Sequence, residues 1–191
     1  MAERLVGAKV RLVPLDFDRH FESVLRWAND PDVSEGLPLG DLPKTRPAVH
    51  EWFEARQRAG DGELSLAIEA LGGEHVGHSA LYRIDRATGS AGCGSLIDRA
   101  HWGRGYGKDA ANVRAAFAFR TLGLRRLLSS HLEGNERSAR MQRAVGFVEW
   151  GRLPDDVWQD GAYRAQVFTV LTRDRWESLQ RPADEASKPV M

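Results

Sequence analysis

The sequence predicts a single domain of the α/β (α+β) class, a mixed and mostly antiparallel sheet flanked by helices, and three observations predict it. Three alternating segments bounded by turn residues follow one another between Glu63 and Asp98, as in an antiparallel meander. A glycine-rich turn, Trp102-Gly103-Arg104-Gly105-Tyr106-Gly107, then leads into an alanine-rich helical segment, so a helix-bearing crossover interrupts the sheet. Finally, 191 residues with 42% hydrophobic and 28% charged are enough for one substantial core, with no internal repeat and no second-domain boundary.

Each element has its own signal. In Ala8 to Leu15 the order Lys9-Val10-Arg11-Leu12-Val13 alternates polar and apolar residues, as a half-buried strand does. Asp16 and Asp18 can cap a helix that places Phe21, Val24, Leu25 and Ala28 on one side, with Trp27 at its edge, and Asn29-Asp30-Pro31 ends it. Four prolines between Pro31 and Pro47 predict a loop, and Thr45 caps a second helix running to Ala59. Strands over Glu63–Leu71, His75–Ile84 and Ser90–Asp98 are divided by turns at Gly72-Gly73 and Thr88-Gly89. The helix from Lys108 to Thr121 carries Val113, Phe117 and alanines at helical spacing, and Leu122-Gly123-Leu124 closes it. A strand over Arg126–Leu132, a short helix over Asn135–Val145 stopped by Gly146, and strands over Phe147–Arg152 and Ala162–Leu171 complete the domain, which occupies residues 1–180. Residues 181–191, rich in Pro, Ala, Ser and charge, read as a disordered tail.

Composition narrows the function. With 27 basic and 27 acidic side chains the formal net charge is zero, which argues against nucleic acid as a partner. The single Cys93 cannot close an internal disulfide, no Cys/His cluster has metal-ligand spacing, and a reducing compartment follows. The first residues lack a signal-peptide core and no apolar run is long enough for a membrane span, so the expectation is a soluble cytoplasmic protein with no membrane partner and no metal.

The chemistry concentrates in Trp102 to Lys108. Three glycines in five positions, after a strand and before a helix, let the backbone turn tightly and aim several N–H groups at one point, where a helix N-terminus adds partial positive charge. A pyrophosphate fits such a cradle; a bare turn explains the glycines equally. The nucleotide P-loop is excluded because Gly107-Lys108 is not followed by Ser or Thr, and a dinucleotide fold is disfavoured because no G-x-G-x-x-G is present.

At this point the residues resemble a family. Arg11-Leu12-Val13-Pro14-Leu15, Trp27-Ala28-Asn29-Asp30-Pro31-Asp32-Val33, Val76-Gly77, Ile97-Asp98 with the glycine loop, Leu122-Gly123-Leu124-Arg125-Arg126, Asn135 with Ser138, Gly146-Phe147 and Asp160-Gly161-Ala162-Tyr163 are similar, in order and spacing, to the GNAT superfamily of acyl-CoA N-acyltransferases, in the group of the ribosomal-protein N-terminal acetyltransferases and their relatives. The resemblance implies a sheet with splayed central strands and acetyl-CoA as co-substrate. It implies that Trp102, Gly103, Arg104, Gly105, Tyr106, Gly107 and Lys108 hold the CoA pyrophosphate, and that the main chain of Leu96 and Ile97 bonds the pantetheine arm. Asn135 matches the asparagine that touches the pantetheine, and the same residue suits an N-cap. A homodimer is among the assemblies it allows.

The reaction sets demands of its own. An alkyl ammonium of pKa about 10.4 must lose a proton before it can attack a thioester, and a thiolate of intrinsic pKa about 8.5 needs only modest help to leave. A strand N–H can stabilise the developing oxyanion. Against these demands the chain departs from its relatives: Gly92 stands where many carry Glu, and Gln142 where many carry a Tyr acid. Ser138 matches the serine near the thioester sulfur and is the candidate donor, with a plain helix serine as the other reading. Base candidates are His78, Glu69, Asp98, His101 and Asp30, of which His78, on a central strand, is put forward for catalysis; a satisfied structural histidine is the other reading. Asp30, Tyr163 and Trp158 are the expected acceptor-binding residues, with Trp27, Trp52 and Trp150 as further aromatics for the pocket or for packing. The acceptor expected is a small-molecule or peptide primary amine, and zero net charge favours a small free amine over docking to a ribosome. An acyl-CoA larger than acetyl, or CoA binding with little catalysis, are the alternatives.

Overall fold

The computed structural model describes residues 5–34, 43–58, 60–159 and 161–180. Its element order is β1 (Val10–Pro14), α1 (Phe17–Ala28), α2 (Pro31–Ser34), α3 (Arg46–Gln57), β2 (Glu63–Ala70), β3 (His75–Asp85), β4 (Ser90–Ile97), α4 (Tyr106–Ala116), β5 (Arg126–Leu132), α5 (Glu136–Val145), β6 (Val148–Gln159), β7 (Ala162–Thr172) and α6 (Arg173–Gln180). A short 3₁₀ turn over Arg99–His101 precedes the glycine loop, and α4 runs on into a π turn over Phe117–Thr121.

The seven strands form one sheet in the order β1-β2-β3-β4-β5-β7-β6. Every pairing is antiparallel except β4 with β5, which is parallel and lasts three rungs, Ser90↔Arg126 to Gly92↔Leu128. β5 continues against β7 as far as Leu132, while β4 continues against β3 as far as Ile97. The two central strands therefore splay apart after Gly92 and Leu128, as the resemblance implies.

Period-two alternation sends Leu12, Leu66, Ile68, Leu81 and Cys93 to one face, where they pack with Ala110, Ala115, Phe119 and Trp176 from α4, its π turn and α6. The opposite face is covered by Phe21, Val24 and Trp27 of α1 and Val49 and Phe53 of α3. Asp16 caps α1 by accepting from the Arg19 amide at 3.0 Å, and Thr45 caps α3 by accepting from Ala48 at 3.3 Å. Trp27, expected at the edge of its helix, is 2% exposed and more deeply buried than Leu25.

Two expectations are revised and one helix is added. The loop after Pro31 opens with the short helix α2; β6 runs to Gln159 rather than Arg152; and α6 follows β7 directly. Expectations for Met1–Arg4, for residues 35–42 of the loop, for Asp160 and for the tail 181–191 fall outside the described residues. Among the described residues no helix is long and apolar enough to cross a membrane.

Candidate active site

The glycine loop sits at the N-terminus of α4. Gly103 and Gly105 have φ of 78° and 83°, a left-handed conformation that favours glycine, and Gly105 is the N-cap with no side-chain hydrogen bond. The amides of the first turn of α4 are left for an external acceptor, with the positive end of the helix dipole behind them. Lys9 Nζ donates to the Arg104 carbonyl at 2.8 Å, which sets one cation at the turn, and Arg104 and Lys108 are basic residues within it. Asp109 braces it: its carboxylate accepts from the Ala8, Lys9 and Val10 amides at 3.2, 2.7 and 3.0 Å, tying α4 to the start of β1. A Cβ on Gly7 would overlap that carboxylate, which explains a glycine there. An uncapped helix start with a cation set beside it fits the pyrophosphate of CoA. Neither Lys9 nor Asp109 is marked by any sequence motif; Asp109 follows the loop in the first turn of α4, and Lys9 reaches it from the start of β1.

At the splay, the Asp98 amide donates to the Val76 carbonyl at 2.9 Å, which fixes the alternation along β4. The Leu96 backbone faces β3, and the backbones of Ser95 and Ile97 face the open side. Ile97 is thus at the open edge, but its carbonyl accepts from Trp102 Nε1 at 2.8 Å; Leu96 contributes its side chain to the core under α1 and α3. The Arg137 guanidinium lies 3.4 Å from the Trp102 ring centroid, and Arg99 pairs with Asp32, so α2, the glycine loop and α5 converge.

Asn135 caps α5 by accepting from the Ser138 amide at 3.0 Å, and its NH2 has no hydrogen-bond partner among the described residues. Its two readings are compatible, since the cap uses the oxygen alone. Ser138 is half-buried, and its Oγ accepts from Gln142 Nε2 at 3.0 Å. Gln142, in the place of the relatives' Tyr, is 3% exposed.

His78 packs edge-on to Trp52, with ring centroids 5.5 Å apart, and its Nε2 is buried without a partner. Burial, with the charges of Arg56 and Arg114 added, lowers its pKa to about 4. Glu69 is enclosed by Arg11, Arg19 and His20; burial alone would raise its pKa, and these partners hold it below the usual value. Asp98 accepts from the Ala100 amide and Arg26, His101 faces Glu74 at 3.2 Å, and Asp30 accepts from the Asp32 amide at the start of α2. Cys93 is fully enclosed, and burial pushes its thiol pKa up, so it is no nucleophile.

The place of the missing glutamate is filled. The Tyr82 ring lies across Gly92 so closely that a Cβ there would overlap it, whereas Gly94 has open space on its side-chain face. At the far end of the sheet Trp158 and Tyr163 form an edge-to-face pair 5.1 Å apart, 57% and 59% exposed. Their chain neighbours Gln159 and Arg164, rather than the aromatic pair itself, line a cleft of about 340 Å³ together with Leu132, Glu133, Gly134, Asn135, Glu136 and Arg137. Trp150 is exposed against Phe168, away from Trp27 and Trp52. Among the described residues no group of three or more His, Cys, Asp or Glu is placed to hold a metal ion.

Comparison with known proteins agrees with this geometry. The model of the acetyltransferase (GNAT) domain matches residues 9–148. YdaF of Bacillus subtilis, which carries the provisional name of a ribosomal N-acetyltransferase, is 25% identical over 169 residues, 87% of this chain and 91% of its own. The FsC-acetyl coenzyme A-N(2)-transacetylase of Aspergillus fumigatus is 26% identical over 197 residues, 95% of this chain and 81% of its own. The crystal structure of spermidine N-acetyltransferase from Vibrio cholerae, solved with CoA and spermine, superposes with a TM-score of 0.80 at 17% identity, covering 90% of this chain and 99% of that one.

Proposed function

Since the chain belongs to the GNAT family of acetyltransferases, we propose that it moves an acetyl group from acetyl-CoA to a primary amine, on a small molecule or a peptide N-terminus, by direct attack with both substrates bound. The observation that carries this reading is the three-rung pairing of β4 with β5, which opens a slot ending at the uncapped start of α4. The names of the two curated relatives, one specifying acetyl coenzyme A, support the donor and the N-acyl product.

Acetyl-CoA supplies the acyl group already activated as a thioester. In this reading the amides from Arg104 to Lys108, fenced by Lys9, hold the pyrophosphate; the outward-turned amides of Ser95 and Ile97 and the NH2 of Asn135 hold the pantetheine. Ser138 offers a hydroxyl to the leaving sulfur. Trp158, Tyr163 and the neighbouring cleft receive the acceptor, with Asp30 acting through the shape of α2.

The test is release of CoA thiol from acetyl-CoA across a panel of primary amines and peptides, with calorimetry for CoA itself. Turnover with some amine is expected. Gly105→Glu, which sets a side chain and a strained backbone in the cradle and offers Lys9 a carboxylate in place of the phosphate, should weaken CoA binding at least 100-fold, a change of about 3 kcal/mol. Tight CoA binding without turnover on any amine would instead make the chain a CoA-binding module, and unchanged binding by the variant would remove the cradle.

A further inference from the structure

The Gln142 amide, to which His131 of β5 is also hydrogen-bonded, is held from several elements. Its Nε2 donates to the Ser130 carbonyl at 3.2 Å and to Ser138 Oγ at 3.0 Å, and its Oε1 lies 2.6 Å from Thr169 Oγ1. A carbonyl can only accept, so Ser130 fixes the nitrogen end of the amide and excludes the flipped rotamer. It follows that the Thr169 hydroxyl donates to Oε1 and that Ser138 Oγ accepts. The Ser138 proton is therefore the one left over, and the Ser138 hydroxyl makes no other hydrogen bond among the described residues. Ser138 is in the first turn of α5, before any helical carbonyl four residues earlier that could take its proton.

The position of Ser130 ties this chain to the splay. It lies two residues beyond the last rung joining β4 to β5, Gly92↔Leu128. Gln142 reaches a strand carbonyl at the opened slot and, with its second N–H, determines which way the neighbouring serine is polarised.

We propose that Gln142 is a positioning residue that makes Ser138 a hydrogen-bond donor to the sulfur of CoA. The inference rests on the proposed reading of Ser138 as the partner of the leaving group. As the acceptor nitrogen forms its C–N bond, the C–S bond breaks with its electron pair on sulfur, and the amine proton passes to solvent. Ser138 keeps its own proton and shares it with the thiolate as a hydrogen bond.

The experiment titrates the thiol of CoA bound to the full chain, followed by the ultraviolet absorbance of the thiolate, so no acceptor amine is needed. Bound to the native protein, the thiol should titrate below its value in free CoA. Ser138→Ala and Gln142→Leu should each raise it by about one pH unit, the scale of one hydrogen bond to a charged group. The double variant should be no higher than Ser138→Ala alone, because both changes remove the same bond. Thr169→Val, which loosens the amide without altering the polarity fixed by Ser130, should leave the thiol where it is. In the native protein, both Nε2 protons of Gln142 should exchange slowly by NMR, and the one facing Ser138 should exchange faster in Ser138→Ala. That readout needs no Gln142 variant to fold.

If Ser138→Ala raises the thiol pKa and Gln142→Leu does not, or if the two shifts add, Gln142 has no such role while Ser138 keeps its own. If Ser138→Ala leaves the thiol unmoved, the reading of Ser138 fails and takes the proposal with it. A chain that does not bind CoA overturns both.

Discussion

A histidine can relieve an ammonium of its proton only if its own basicity is within reach of the donor's. His78 is held at about 4 by burial and by the charges of Arg56 and Arg114, whereas an alkyl ammonium sits near ~10.4, a gap too wide for efficient transfer. Its Nε2 is buried without a partner and its ring is packed against Trp52, although the residue as a whole is half-buried. His78→Asn should accordingly change kcat by less than about 3-fold, where loss of a true general base costs roughly 100-fold or more. Steady-state kinetics at fixed acetyl-CoA decide it, and a 100-fold loss would restore His78 as the base. The sequence placed His78 correctly on a central strand, but burial and two distant arginines, which decide its pKa, come from α3 and α4 and leave no local trace. Ser138 is the converse case: motif spacing found it, while the direction of its proton depends on the carbonyl of Ser130, twelve residues before Gln142 and on another element.

Strand β4 shows the same division at the level of elements. Two glycines of the β3–β4 ribbon have opposite surroundings: a Cβ on Gly77 would overlap the Leu96 carbonyl oxygen, and a Cβ on Gly94 would meet nothing within 4 Å. Backbone cannot yield as a side-chain tip can, so Gly77→Ala should cost about 1–3 kcal/mol and lower the thermal midpoint. Gly94→Ala should be close to neutral in stability, yet it adds a methyl group beside the slot between β4 and β5 and should reduce kcat/KM. Differential scanning calorimetry with parallel kinetics separates the two; equal loss of stability in both variants would mean that the close approach at Gly77 is not what keeps it glycine. The short α5 was legible from one buried face and the caps Asn135 and Gly146, the crossover helix from its alanines after the glycine loop, and the meander from the turns that divide its strands. β6 was not legible past Arg152: nearly all of it is exposed, Pro154 and the bulge between Leu153 and Val157 interrupt it, and pairing with β7 alone defines it. α6 buries only Trp176, too little for a helical period to show.

For the whole molecule, the balance of charged and neutral groups makes acid the condition to which the fold is most sensitive. His75 lies between His20 and Trp27, with ring centroids 4.4 and 4.6 Å away, where α1 rests on β3. Burial first, and the neighbouring His20 second, lower its pKa to about 3, and burial lowers that of His78 to about 4. In the unfolded chain both titrate near ~6.5. Above that value both states are neutral at these sites and the histidines do not affect stability. As the pH falls below 6.5 the unfolded state binds protons that the folded state refuses, so stability is lost down to the folded pKa values. At pH 5 the loss is about 1–2 kcal/mol for each histidine. Glu69 and Asp98, both held below their ordinary values, add a second loss only at lower pH, as they protonate. The thermal midpoint should therefore drop by roughly 5–10 °C between pH 7 and pH 5, at about 2–4 °C per kcal/mol for a domain of this size. His78→Asn should remove its share of that slope down to about pH 4, leaving the shares of His75 and of His131, whose pKa burial also lowers. A midpoint that stays flat from pH 7 to 5 would show that α1 yields locally to admit the protons, in which case hydrogen exchange in α1 should rise over the same interval while β7 remains protected.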